Sequence, residues 1–475
     1  MHNFVNEDQK EVVLVGGGHT HALFLKMWAR MPIQGVRLTL ISPDVLTPYS
    51  GMLPGLLAGH YSHEDSHIDL SRLCKYAGVR FIQTAATGID AKTKAIHFAN
   101  RPSLRYHIAS INSGATPDLT VPGSAEHSIS IKPISKLFRR WEDMLKQLNQ
   151  SASKANQIVK IAVVGGGAAG VETIQAIQWR LAQELGRQPK KIQLTLFQNG
   201  EGLPENFPKA IQRAFQKRFK QLGIAITDNF HVEKLELNES AQEAYRLTSA
   251  DQRTAAADFV FWCTQARGAA WLADSGLPVD TKGFIKTNSY LQVIDHPSTF
   301  ACGDGATITT QIRPKAGVFA VRQAKTLYNN ITATLLNQKL TPHRSQRRFL
   351  SILTGGAQWA IASKGRVSFP LLWPHLIWKW KRSIDQSFMD QFSSLTSNNR
   401  SAGMQKFKAL PDQEDSKKMR CGGCGAKIGG MLLTDTISQL KPIPNDSILI
   451  GLDQPDDCAA LEISSNTVLC QSVDV

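Results

Sequence analysis

Two short glycine-rich turns, each set between an apolar strand and a helix, constrain this chain more than any other feature. The first is 16–21 (GGGHTH). It follows the apolar run 11–15 (EVVLV) and opens a helix over 22–31 that ends near Pro32, after which 36–41 (VRLTLI) has the β-branched character of a second strand. The same order returns later: 160–164 (KIAVV), the turn 165–170 (GGGAAG), a helix over 171–185 closed by Gly186, and the strand 192–197 (IQLTLF). Strand, tight turn, helix and strand make a βαβ unit. Two of them about 150 residues apart indicate two nucleotide-type folds, not a short repeat. The expected fold class is α/β with two Rossmann-like dinucleotide-binding domains.

Such turns let backbone N–H groups approach a pyrophosphate while the helix N-terminus adds partial positive charge. In the first, Gly16, Gly17 and Gly18 lead into His19; Gly16 and Gly18 fill the first two glycine places of G-x-G-x-x-G, and His21 stands in the third. Its second strand ends at Ser42, not at an acid, with Asp44 two positions on, so the ribose contact falls to Asp44 or to water. In the second turn Gly165, Gly167 and Gly170 fill all three places and Glu172 follows. Gln198 ends its second strand, where an acid selects NADH and an arginine NADPH. No arginine adjoins it, which leans toward NADH without deciding. A third element, 299–307 (TFACGDGAT), presents Asp304 between Gly303 and Gly305 at a strand end, and Lys315 begins the next helical stretch. Alone, a G-D-G is a turn; after two glycine-rich βαβ units it is a cofactor signal.

In this order the features resemble the two-dinucleotide-binding-domain flavoproteins, the pyridine nucleotide oxidoreductases that include type II NADH dehydrogenases. The resemblance covers about residues 10–390. It implies FAD held by the first turn and by Asp304, and NADH or NADPH held by the second. Hydride would pass from nicotinamide to flavin and on to a small-molecule electron acceptor. The implied layout is an FAD domain in two parts, 10–120 and 286–338, around an inserted NAD(P) domain, 121–285, with a basic Trp-rich segment at 339–392. The chain would cross between domains at Ser113-Gly114-Ala115 and at Thr264-Gln265-Ala266, and 47–55 (TPYSGMLPG), with Pro48 and Met52, would lie near the isoalloxazine. The disulfide-reductase branch needs two cysteines close in sequence. Cys74, Cys263 and Cys302 are singletons, so direct transfer to an external acceptor is expected.

Charge asks for an anionic partner: 54 Lys and Arg against 39 Asp and Glu leave +15. Anionic cofactors and a membrane surface can absorb it, and without a nucleic-acid-binding signature no nucleic acid partner is expected. The segment 373–392 (WPHLIWKWKRSIDQSFMDQF) mixes tryptophans with cations, which suits a lipid headgroup interface. Alternatively, Ile377, Trp380, Ile384, Phe388 and Phe392 form a core face at roughly helical spacing. No run of eighteen apolar residues, no signal-like N-terminus and an odd, scattered set of seven cysteines point to a cytoplasmic protein, or one peripheral to the inner face of a membrane.

Past a polar linker at 393–418, residues 419–475 open a further α+β domain that stops inside a strand. Cys421, Cys424 and Lys427 (CGGCGAK) suit a thiolate steadied by an amine better than zinc, and Asp456-Asp457 and Asp474 suit Mg²⁺ carrying a nucleotide. These features resemble the start of selenophosphate synthetase (selenide, water dikinase). That resemblance implies a catalytic pair Cys424 and Lys427, metal ligands Asp457 and Asp474, Mg²⁺ and ATP as cofactors of the complete domain, and a homodimer through it. A selenium compound then joins a quinone as candidate acceptor, and a flavin redox-sensing module regulating the kinase stands as the non-enzymatic alternative.

Overall fold

The computed structural model describes residues 9–151, 158–184, 192–238, 244–365, 367–369, 373–393, 395, 447–450, 459–464 and 467–471. The chain divides into two compact units, 1–411 and 412–475.

In the first unit, β1 (Lys10–Val15) runs into α1 (His19–Arg30) and returns as β2 (Val36–Ser42), parallel to β1 with Lys10 opposite Val36 and Val15 opposite Ile41. The helix starts three residues earlier than its apolar pattern indicates, because His19, Thr20 and His21 form its first turn. On the other side of β1 lies β3 (Ile108–Ile111), also parallel. Parallel strands are covered on both faces, which is why Val12, Val13 and Leu14 read as an unbroken apolar run and are fully buried.

A second sheet repeats the plan. Here β4 (Val159–Val164), α2 (Ala168–Glu184) and β5 (Ile192–Phe197) form the βαβ unit, β6 (Ala225–Thr227) extends it past β5, and β7 (Phe259–Trp262) pairs with the other side of β4. Two chain crossings join the folds. Outbound Thr116–Pro117 and inbound Ala266–Arg267 pair as a short antiparallel ladder, fastened by Arg267 Nε to Asp118 at 2.9 Å. The returning chain adds β8 (His296–Ala301) beside β3 and then α3 (Gly317–Leu335), which packs against α1 in one core. The first fold is thus assembled from both ends of the unit around an inserted second fold, and the α/β architecture with two Rossmann-like sheets stands.

A three-stranded antiparallel sheet follows (Leu350–Thr354, Ala360–Lys364, Val367–Ser368), and then α4 (Pro374–Ser393). Its buried side is Trp378, Asp385, Phe388, Met389 and Phe392. This corrects the core-face reading of the tryptophan segment. Phe388 and Phe392 do enter the core, but Trp380 is 44% and Ile384 38% exposed, continuing an outward stripe with Trp373 and Leu376. The pattern misleads because a buried polar residue, Asp385, takes a place that hydrophobicity assigns to a neighbour. Among the described residues no helix is long and apolar enough to cross a membrane. The second unit, by itself, shows a three-stranded antiparallel sheet: Ile448–Ile450, Ala459–Ser464 and Thr467–Gln471.

The facing of α4 is open to test by denaturation. Phe388→Ala should cost about 3 kcal/mol, the usual loss for an aromatic side chain removed from a core. Trp380→Ser should stay within about 0.5 kcal/mol of the parent. Equal losses in the two variants would contradict the orientation described.

Candidate functional site

β1 ends at Val15, and the chain must reverse within three residues to start α1. Gly16 does so with φ of +93°, where a Cβ would run into the Asn112 carbonyl. Gly17 and Gly18 likewise leave no room for a Cβ, against Leu70 and Asn112. No side chain caps α1, so its first N–H groups keep their capacity for a ligand. These residues open onto a cleft of about 350 Å³, a size common for ligand sites, whose other walls include Asp44, Pro48, Gly114, Lys132 and Asp304. Asn112 donates from Nδ2 to the Cys302 carbonyl at 3.1 Å, yet its Oδ1 is buried without a partner. A glycine cradle, an uncapped helix start and an unsatisfied buried acceptor beside them fit a dinucleotide.

One residue here was not legible in the sequence. Lys132, from the segment leading into the second fold, lines the cleft and pairs with Asp304 at 3.0 Å. It is the only lysine or arginine among the lining residues, and 172 positions separate it from its partner. The local pattern, a lysine before a proline, carries no hint of that pairing.

His21 is fully buried and His19 partly buried at the cleft wall, and desolvation holds both imidazoles below their ordinary pKa, His21 at about 4. Both are therefore neutral. His19 Nε2 donates to the Pro48 carbonyl at 3.1 Å, tying the helix start to the 47–55 segment. His21 Nδ1 lies 2.7 Å from the Gly16 carbonyl, which can only accept, so the proton sits on Nδ1 and Nε2 accepts from Ser110 Oγ at 2.8 Å.

Three other expected residues of the first site lie elsewhere. Met52 is buried in the core shared by α1 and α3. Gly303, at φ +67°, donates its N–H to Gln323 Oε1 at 2.7 Å and borders a small second cavity with Lys315. Lys315 bonds Thr307 Oγ1 at 3.0 Å and sits 3.9 Å from the Phe284 ring centre, with burial lowering its pKa to about 8 against the pull of Asp304 and Asp280. Asp304 touches both cavities.

The second turn divides its glycines by task. Gly165 takes φ +123°, Gly170 packs where a Cβ would meet the Gly165 carbonyl, and Gly167 has open space before it. Those are the tight turn, the close helix contact and the approach to a ligand. Glu172 turns away from this opening. It accepts from Thr354 N at 2.8 Å and Thr354 Oγ1 at 3.0 Å, and burial raises its pKa to about 7 despite those bonds and nearby Lys381. Lys381 in turn donates to the Gly51 carbonyl at 2.8 Å and to both oxygens of Asp385 at 2.6 Å.

Burial pushes the thiols of Cys74, Cys263 and Cys302 up to about 12, so none is an ionised relay sulfur. Cys424, Lys427, Asp457 and Asp474, with the Mg²⁺, ATP and dimer expectations attached to them, lie outside the described residues. Among the described residues no cluster of His, Cys, Asp or Glu could hold a metal ion.

The family described as pyridine nucleotide-disulphide oxidoreductase matches residues 10–324. Among curated proteins, the chain is 26% identical to the NADH dehydrogenase-like protein YutJ of Bacillus subtilis over 48% of its own length and 59% of that protein's. It is 25% identical to demethylphylloquinone reductase NdbB of Synechocystis, over 59% of this chain and 68% of that one. Among solved structures, NDH2 of Plasmodium falciparum in complex with NADH superposes with a TM-score of 0.69 at 16% identity, covering 81% of this chain and 98% of that one, a likeness of fold.

Glu172 sets a pH test. Its pKa is raised on folding, so the native state holds the proton more tightly and gains stability at low pH; that gain is lost as pH rises from about 4.5 to about 7. Glu172→Gln removes this dependence. The variant should gain on the parent by the order of 3 kcal/mol across that window, measured as paired denaturation midpoints. A difference that stays flat with pH would refute a Glu172 carboxyl whose pKa is raised toward 7.

Proposed function

Because the chain belongs to the pyridine nucleotide-disulphide oxidoreductase family, we propose that it is an FAD-dependent NAD(P)H oxidoreductase. In this reading FAD lies in the cleft beside Gly16, Gly17 and Gly18, and the nicotinamide nucleotide lies at the turn of Gly165, Gly167 and Gly170. The observation that carries it is the convergence of a glycine cradle, the start of α1, Lys132 and Asp304 on one cleft. Backbone N–H groups of the first turn would hold the diphosphate, Asp44 the ribose and Asp304 a ribityl hydroxyl, with Lys132 offsetting negative charge. The paired crossings support the layout of an FAD fold in two parts, 10–120 and 286–338, around a nicotinamide fold, 121–285.

FAD held beside Gly16, Gly17, Gly18 and Asp304 would supply the two-electron chemistry between the nicotinamide and an acceptor. The chain's own contribution is binding and exclusion. Neutral His19 fixes Pro48 at the cleft wall, and the buried thiols stay protonated, which favours an external acceptor over a dithiol. A quinone is the acceptor that the demethylphylloquinone reductase relative supports. The outward stripe of Trp373, Leu376, Trp380 and Ile384, beside Lys379 and Arg382, supports peripheral contact with an anionic membrane. A selenium acceptor rests on the sequence around Cys424 and Lys427 alone.

The purified protein should show flavin absorption that bleaches on anaerobic addition of NADH or NADPH and recovers on addition of a short-chain quinone. Recovery only with selenium compounds would replace the quinone reading, and a protein without flavin would end the proposal. Lys132→Gln should weaken FAD retention roughly tenfold, read by flavin release during dialysis. Wild type should pellet with anionic phospholipid vesicles, and the Trp373→Ser, Trp380→Ser double variant should pellet less. Identical pelleting would dismiss the stripe as a membrane face.

A further inference from the structure

The second turn lacks the acid that usually ends the strand after the first helix and takes the adenosine 2′-hydroxyl. Gln198 stands there instead. It is 1% exposed, and its backbone is fixed from both sides: its N–H donates to the Thr227 carbonyl at 3.1 Å, and its carbonyl accepts from Phe230 N at 2.8 Å. The side-chain amide faces two ways. Oε1 is buried without a partner and presses on the glycine turn so closely that a Cβ on Gly166 would overlap it. Nε2 donates to Asp228 Oδ1. That orientation is required, since an amide oxygen could not face a carboxylate. Gln198 therefore ties the turn to an exposed carboxylate that follows β6, and among the described residues this is the one hydrogen bond Asp228 receives.

The neighbouring charges agree in sign. Glu201 accepts from Asn229 Nδ2 at 3.3 Å, next to Asp228, and Glu205 is held at the turn by its backbone N–H, which bonds the Gly166 carbonyl at 3.2 Å. Arg253, the cation bonded to this segment, is committed to the Asn229 carbonyl, to Asp251 and to the Phe230 ring. A 2′-phosphate would meet carboxylates here and no uncommitted guanidinium among these groups.

We infer that Asp228, positioned by Gln198, is the acid that recognises the adenosine 2′-hydroxyl, and that the electron donor is therefore the unphosphorylated dinucleotide, NADH. The acid of an ordinary site has moved one strand over, and the glutamine bridges the gap. This rests on the second turn being the nicotinamide nucleotide site. Asp228 is exposed, so its repulsion of a phosphate is partly screened and weakens with added salt.

Binding without turnover separates the two claims. ADP-ribose and 2′-phospho-ADP-ribose are titrated calorimetrically into the oxidised full-length protein at low ionic strength. ADP-ribose should bind tighter by roughly tenfold or more, with the gap narrowing as salt rises. Asp228→Asn should close most of that gap, and Gln198→Glu added to Asp228→Asn should reopen it by returning the acid to the strand end. Equal affinity in the parent, or an unchanged gap in Asp228→Asn, would overturn the assignment; the latter is what an adenine contact by Asp228 would give. If neither ligand binds, the second turn itself is misread and the assignment falls with it.

Discussion

The carbonyl of the first glycine in each turn has to be accounted for before the helix behind it can begin. Both turns are pinned alike on the other side, Gly16 N–H to the Ile41 carbonyl and Gly165 N–H to the Phe197 carbonyl, each at 2.8 Å. The two folds then diverge. In the second, Gly170 lets α2 come down on the Gly165 carbonyl where no Cβ would fit. In the first, His21 carries a full side chain at the matching place and gives that carbonyl a hydrogen bond. One fold closes the turn by removing atoms, the other by adding a donor.

In the histidine solution the imidazole is neutral, because burial outweighs the bond to the Gly16 carbonyl, which favours the charged form. A charged ring would need both nitrogens to donate, and it would have to be held in a site from which water is excluded. Burial keeps the ring neutral and so selects one tautomer, and that tautomer links α1, the turn and Ser110 on β3. The same strand leads into Asn112 and Gly114 at the cleft wall. A departure from the glycine fingerprint thus stiffens the site it seemed to weaken.

What the sequence made legible is what depends on neighbours along the chain. The βαβ order, the turn glycines and the strand-end position of Asp304 all follow from local periodicity and from backbone that must approach closely. Pairings across 172 residues, such as Lys132 with Asp304, leave no local trace. Gln198 reads as indifferent to the donor until the hydrogen bond to Asp228, just past the neighbouring strand β6, is seen. Glu172, next to the second turn in sequence, faces the opposite way because Thr354, far down the chain, offers it two donors. Residues 419–446 carry a motif that is plain in sequence and lies outside the described structure.

The largest misreading, the facing of α4, comes from a buried ion pair. Lys381 and Asp385 occupy the inner side of the helix, 15% and 2% exposed, where an apolar pattern expects hydrocarbon. Such a pair adds little net stability over well-packed apolar groups once desolvation is counted. What it adds here is register. The aromatic contacts of α4, Phe388 stacked 4.4 Å from Tyr49 and edge-on to His19, are non-directional enough to tolerate a small slide. The bonds from Lys381 to Gly51 and Asp385 are not, because a shift of one turn would strand a buried ammonium. The helix is thereby fixed against the 47–55 segment, and that segment against the cleft. Trp373, Leu376, Trp380 and Ile384 face outward because that inner bond, not hydrophobicity, decides which way the helix turns.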